Sequence, residues 1–154
     1  MSRICCFFAL TLWLVASAAL AQAPPEVTAN AILGIEIGMP IERVRNIVAG
    51  LGTPDVRATR DGGTKEVWRL TRTGFAWLAM KANRDGRLVW LTGQRRVGHE
   101  IAFDSITGPP SQAGDDQSVW HSYGQFGPQQ LTLRGARRAA LVVTLSEVRT
   151  TVEP

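Results

Sequence analysis

The sequence predicts an α+β domain in which a short helix, or more than one, packs on one face of a curved antiparallel sheet. Three observations carry this. Gly38 to Asp55, GMPIERVRNIVAGLGTPD, reads as one amphipathic helix stopped by glycine and proline. Alternating strands follow, two of them joined by a tight turn. A weaker echo, ITGPPSQAGDDQSVW from Ile106 to Trp120, raises the option of two tandem helix-plus-three-strand units.

Residues 1–21 read as a signal peptide. Arg3 gives a positive start, Ile4 to Ala21 is an apolar run, and Ala19-Leu20-Ala21 places small residues where a signal peptidase reads. Cleavage is expected near Ala21, which puts the protein in the periplasm or outside the cell. Retention of the run as a membrane anchor stays open, since its length approaches the ~20 residues that span a bilayer. What remains of the 154 residues suits one domain with a real core. Both cysteines, Cys5 and Cys6, fall inside the signal, so stability is expected from packing rather than disulfides. The formal net charge is +4, carried by scattered arginines with only Lys65 and Lys81 as lysines. That scatter does not make a nucleic-acid site.

Residues 22–31 form a polar, proline-containing leader. The unit expected over 32–94 begins with Ile32–Ile37, a short strand or extended lead-in. The helix starts near Pro40, because proline loses nothing at the first helical position. Glu42 in the first turn suits the helix dipole. Ile41, Val44, Ile47, Val48 and Leu51 recur every three or four residues and form one apolar stripe. Gly50 and Gly52 suit a left-handed C-terminal turn, and Pro54 blocks continuation. Val56 to Thr64 reads as a polar loop. Strands are expected at Glu66–Thr71, Phe75–Ala82 and Arg87–Thr92, with Asn83-Arg84-Asp85-Gly86 as the hairpin turn.

Residues 95–154 read as a second, degenerate unit or an extension of the same sheet. Ile101–Ile106 is helix or strand. Ser118–Tyr123, Gln130–Leu133 and Ala140–Leu145 read as strands. Val67-Trp68 and Val119-Trp120 fall at matching points of the two halves, and both tryptophans are expected to anchor the core.

An even-length hairpin loop fixes which side chains share a face. Phe75, Trp77, Ala79 and Lys81 then join Leu88 and Trp90, while Ala76, Leu78, Met80 and Ala82 join Val89 and Leu91. The aliphatic set suits packing against the helix. The set with two large aromatics and a cation is left for solvent or a partner, so Phe75, Trp77, Lys81 and Trp90 are the expected partner-binding residues.

No nucleophile elbow, zinc-protease helix or phosphate-binding loop occurs. His99 and His121, with Glu100, Asp104, Asp115 and Asp116, have no spacing that demands a metal or acid–base site. No catalytic residue, metal or cofactor is therefore expected. The Arg95-Arg96 and Arg137-Arg138 pairs read as solvated loop charges, with at most peripheral attraction to anionic headgroups.

Gly38-Met39-Pro40, Glu42, Val44, Leu51-Gly52-Thr53-Pro54, Trp68 and the Asn83–Gly86 hairpin together resemble the small outer-membrane lipoprotein family of the SmpA/OmlA (BamE) type. The resemblance covers about residues 32–94. It implies a helix pair on a three-stranded antiparallel sheet and an accessory role in a β-barrel assembly complex. Doubled, the shape is similar to the β-lactamase-inhibitor-protein fold, whose concave sheet grips an enzyme. No cysteine follows the signal to carry that family's lipid tether.

The expected function is an exported, non-enzymatic protein-binding module, an accessory or scaffold subunit of a bacterial cell-envelope complex. The alternative is a secreted proteinaceous inhibitor of an enzyme such as a hydrolase. A small metal- or His-dependent enzyme ranks a distant third.

Overall fold

The computed structural model describes residues 25–58 and 62–148. The signal read over residues 1–21 lies outside them. The elements in chain order are β1 (Val27–Thr28), β2 (Ala31–Ile32), α1 (Ile41–Ala49), β3 (Gly52–Ala58), β4 (Thr64–Leu70), β5 (Phe75–Ala82) and β6 (Leu88–Arg95). They continue with β7 (Ile101–Ala102), β8 (Gln117–Gly124), β9 (Gly127–Arg134), β10 (Ala139–Ala140) and β11 (Val142–Glu147).

The α+β expectation is corrected: the fold is mostly β, 52% strand against 13% helix, with α1 the single α-helix among the described residues. Seven strands form one antiparallel sheet in the order β3-β4-β5-β6-β11-β9-β8. No second helical unit exists among the described residues. Ile101–Ile106 gives only the two-residue β7 and a 3-10 turn at Phe103–Ser105. The reason is visible in the sequence: this stretch has no room for a four-residue-spaced apolar stripe, and Gly108-Pro109-Pro110 ends it.

The first helix does form where its stripe predicts. Ile41, Val44 and Val48 are buried; each such side chain contributes roughly 1.5–3 kcal/mol on burial. The lead-in is stitched to the β5–β6 hairpin: Gly38 N–H donates to the Leu88 carbonyl, Leu88 N–H to Met39, and Ile41 N–H to Gly86. These bonds place the start of α1 over the sheet. One turn further, Arg45 Nε donates to Oε1 of the fully buried Glu66 at 2.9 Å, and Trp68 Nε1 to its Oε2 at 3.0 Å. An ion pair thus ties the helix to β4, and every buried polar atom in it is matched.

Two details of the helix end are also corrected. Gly50 is right-handed, at φ −76°. Gly52 is needed for close approach instead, since a Cβ there would run into the Arg69 carbonyl. Gly52–Ala58 forms β3, an edge strand, so the loop expected over Val56 to Thr64 is shortened at both ends: Val56–Ala58 belong to β3, Thr64 opens β4, and residues 59–61 lie outside the described residues. Thr71 N–H donates to the Leu51 carbonyl, and alternation from that bond turns the nitrogen of Pro54 toward the outer edge. Proline is tolerated in a strand at such a position.

The covered face carries Trp68, Leu78, Met80, Leu91, Leu131, Leu133, Val143, Leu145 and Trp120, all buried. Above them lie α1, Ile32, Ile35, Ile37 and Met39 from the N-terminal segment, and Phe103 and Ile106. Gln129, fully buried, accepts from Ile37 N–H at 3.1 Å and donates to the Asn30 carbonyl at 2.7 Å. Among the described residues, nothing covers the other face of the sheet.

Candidate functional site

Three of the four expected contact residues, Trp77, Lys81 and Trp90, share the uncovered face; Phe75 does not. The β5–β6 register shifts between Phe75 and Trp77, so Phe75 turns to the other side and is fully buried. The Arg95 guanidinium lies 4.4 Å from its ring centroid. Phe75 is therefore a core residue. A second shift, between Lys81 and Ala82, likewise sends Leu88 to the core, away from Trp90. Period-two reasoning fails at both places because a bulge inserts a residue on one strand only.

The face has a regular grid. Lys65, Lys81 and Trp90 are successive cross-strand partners on β4, β5 and β6. Val67, Ala79 and Thr92 make the middle row, and Arg69, Trp77 and Gln94 the third. The small side chains of the middle row separate the two indoles and leave a hollow of about 830 Å³, also lined by Thr71, Ala76 and Arg96. A second hollow of about 400 Å³ shares Lys65, Val67 and Arg69 and reaches Thr53, Pro54 and Asp55 on β3. The groove thus crosses four strands.

Its walls are held in place. Trp77 Nε1 donates to Gln94 Oε1 at 2.9 Å, which fixes the indole plane. Thr92 Oγ1 lies 3.1 Å from the Val143 carbonyl and 2.8 Å from Thr144 Oγ1, locking the floor. The Arg96 guanidinium donates to the Leu70 carbonyl.

The larger hollow is lined by three cations, Lys65, Arg69 and Arg96, and by no acid among the described residues. Lys65 and Arg69 are exposed and make no ion pair among the described residues. Lys65 stands directly opposite Lys81 in the β4–β5 register. The groove therefore offers hydrogen-bond donors, indole surface and an excess of positive charge, with Asp55 as the acid of its smaller hollow.

The histidines lie apart on separate elements. His99 is exposed in the turn after β6; His121 is exposed on β8, its Nε2 3.2 Å from Gln130 Oε1. No three His, Cys, Asp or Glu side chains converge among the described residues. The arginine pairs are not simple loop charges. Arg95 is buried, donates from Nε to the His99 carbonyl at 2.6 Å and pairs with Glu26. Arg138 pairs with Asp104 at 2.6 Å.

Sequence reasoning missed Lys65, Val67, Arg69 and Arg96. The first three alternate with Glu66, Trp68 and Leu70, so period two along β4 carries the signal. What was missing was the partner strand that sets the face.

Fold and site together define a class: a mostly-β domain with one antiparallel sheet, roofed on one side, whose other side is an open, cationic, aromatic groove. No family model matches this chain, and no curated protein or solved structure matches it either.

Proposed function

We propose that this protein is a non-enzymatic protein-binding module, exported to the periplasm or beyond, that serves as an accessory subunit of a cell-envelope complex. One observation supports this most: the uncovered face presents Trp77 and Trp90 either side of a cation-lined hollow. Tryptophan and arginine are enriched among interface hot spots, where a few residues supply most of the binding free energy, and here Trp77 and Trp90 line the hollow with Arg69 and Arg96. Among the described residues, no element covers the open face.

The test is Trp77→Ala and Trp90→Ala, each followed by melting and by cross-linking in the native envelope. Both variants are expected to melt within about 5 °C of wild type and to lose the cross-linked species that wild type forms. Unfolding of both variants, or cross-links unchanged, would overturn the reading. A one-to-one complex that abolishes a captured enzyme's turnover would assign the inhibitor role instead.

A further inference from the structure

We infer that the occupant of the open-face groove is an acidic, extended polypeptide segment lying across the strands. Its carboxylates meet Lys65, Arg69 and Arg96, and its apolar side chains rest on Trp77 and Trp90. This rests on the binding reading above and adds the partner's chemistry.

Charge is the first argument. The two hollows together are lined by three cations, Lys65, Arg69 and Arg96, against one acid, Asp55, so the groove carries an excess of positive charge, and Lys65 and Arg69 make no ion pair among the described residues. The register sets Lys65 against Lys81 on the same face. A carboxylate beside Lys65 and Arg69 would be drawn to two exposed cations on one face.

Shape is the second. The two hollows share Lys65, Val67 and Arg69 and run from Pro54 on β3 to Trp90 on β6. Strands lie about 4.8 Å apart, so this path spans roughly 15 Å, the length of four or five extended residues. Addition of the segment as an eighth strand beside β3 is disfavoured, because Pro54 removes a donor from the outer edge. The charged and indole side chains of the two hollows place the segment on the face instead.

The hollow also disfavours a lipid surface. Trp77 and Trp90 are half-buried walls of a concavity, and a planar bilayer meets protruding side chains. The most exposed large apolar residues, Val97 and Tyr123, belong neither to the groove nor to one another's strand.

Fluorescence anisotropy with labelled poly-L-glutamate tests the charge. Wild type is expected to bind saturably and more weakly as salt rises. Lys65→Glu with Arg69→Glu is expected to weaken binding about tenfold or more, with circular dichroism unchanged. The neutral pair Lys65→Gln with Arg69→Gln is expected to give a smaller loss in the same direction, and it serves if the charge reversal perturbs folding. Absence of binding, or equal binding by all three proteins, overturns the inference. So does binding to phosphatidylglycerol vesicles without binding to polyglutamate, which would make the face a membrane contact. The envelope cross-linking assay separates the two levels. Cross-links lost in the tryptophan variants but kept in Lys65→Glu with Arg69→Glu would sink the acidic partner and leave the binding module standing. Cross-links kept in every variant would sink both.

Discussion

Glu66 and Glu26 each tie the roof to the sheet. Glu66 works from inside, fully buried and shared between Arg45 and Trp68; the hydrogen bond that Arg45 donates to Glu66 also raises the Arg45 pKa above its ordinary value, against the effect of burial. Glu26 works from the rim. It accepts from Gly74 N–H at 2.9 Å and pairs with Arg95. Burial pushes its carboxyl pKa up, but Arg95, Gly74 and His99 together bring it below the usual 4.5. A depressed carboxyl pKa means stability that is present above the unfolded-state value and is lost as pH falls through the folded one. Glu26→Gln is therefore expected to cost about 1 kcal/mol near neutrality, after allowance for solvent screening. The difference from wild type should shrink as pH drops below about 4.5. Urea melts at neutral and acid pH check this; a gap that does not change with pH would refute it. Neither role was legible in the sequence. Arg45 falls on the polar side of the helical pattern and Arg95 beside another arginine, and only tertiary pairing makes either one buried or shared.

At the scale of elements, the helix and six of the seven sheet strands were readable, and the edge was not. The α1 stripe and the β5–β6 hairpin carry strong local signals: a four-residue apolar repeat, alternation, and Asn-Arg-Asp-Gly at the turn. β3 carries almost none. Its residues GTPDVRA suit a loop by propensity, and they extend only because β4 pairs with all seven. Proline in that strand also guards the edge, since unpaired edges invite other chains. Pro54→Val restores the outward N–H. The variant is expected to self-associate at high concentration where wild type stays monodisperse, as size-exclusion chromatography would show. Identical elution profiles would mean that Pro54 has no guarding role.

For the molecule as a whole, β11 is the strand that matters most. It pairs with β6 on one side and β9 on the other, so it alone joins the two runs of strands into one sheet. Leu145 sits fully buried between Leu91 and Leu131 on that seam. Denaturation of wild type is expected to be a single transition by both tryptophan fluorescence and circular dichroism. Leu145→Ala is expected to shift it by about 2–5 kcal/mol without splitting it. Two transitions in wild type would show that the halves fold separately.

What the sequence determined by itself is what depends on neighbours in the chain: the position of α1, the strands with clean alternation, the β5–β6 turn, and the clustering of Trp77, Lys81 and Trp90 on one face. Tertiary structure decided whatever depends on a partner far away in sequence. It made the chain one seven-stranded sheet rather than two helical units, because β11 returns to β6 across more than forty residues. It moved Phe75 into the core, because a bulge against β6 shifts the register by one and a shift of one reverses the face. It also brought Lys65 and Arg69 beside the indoles, because only the β4–β5 pairing says which side of β4 meets which side of β5.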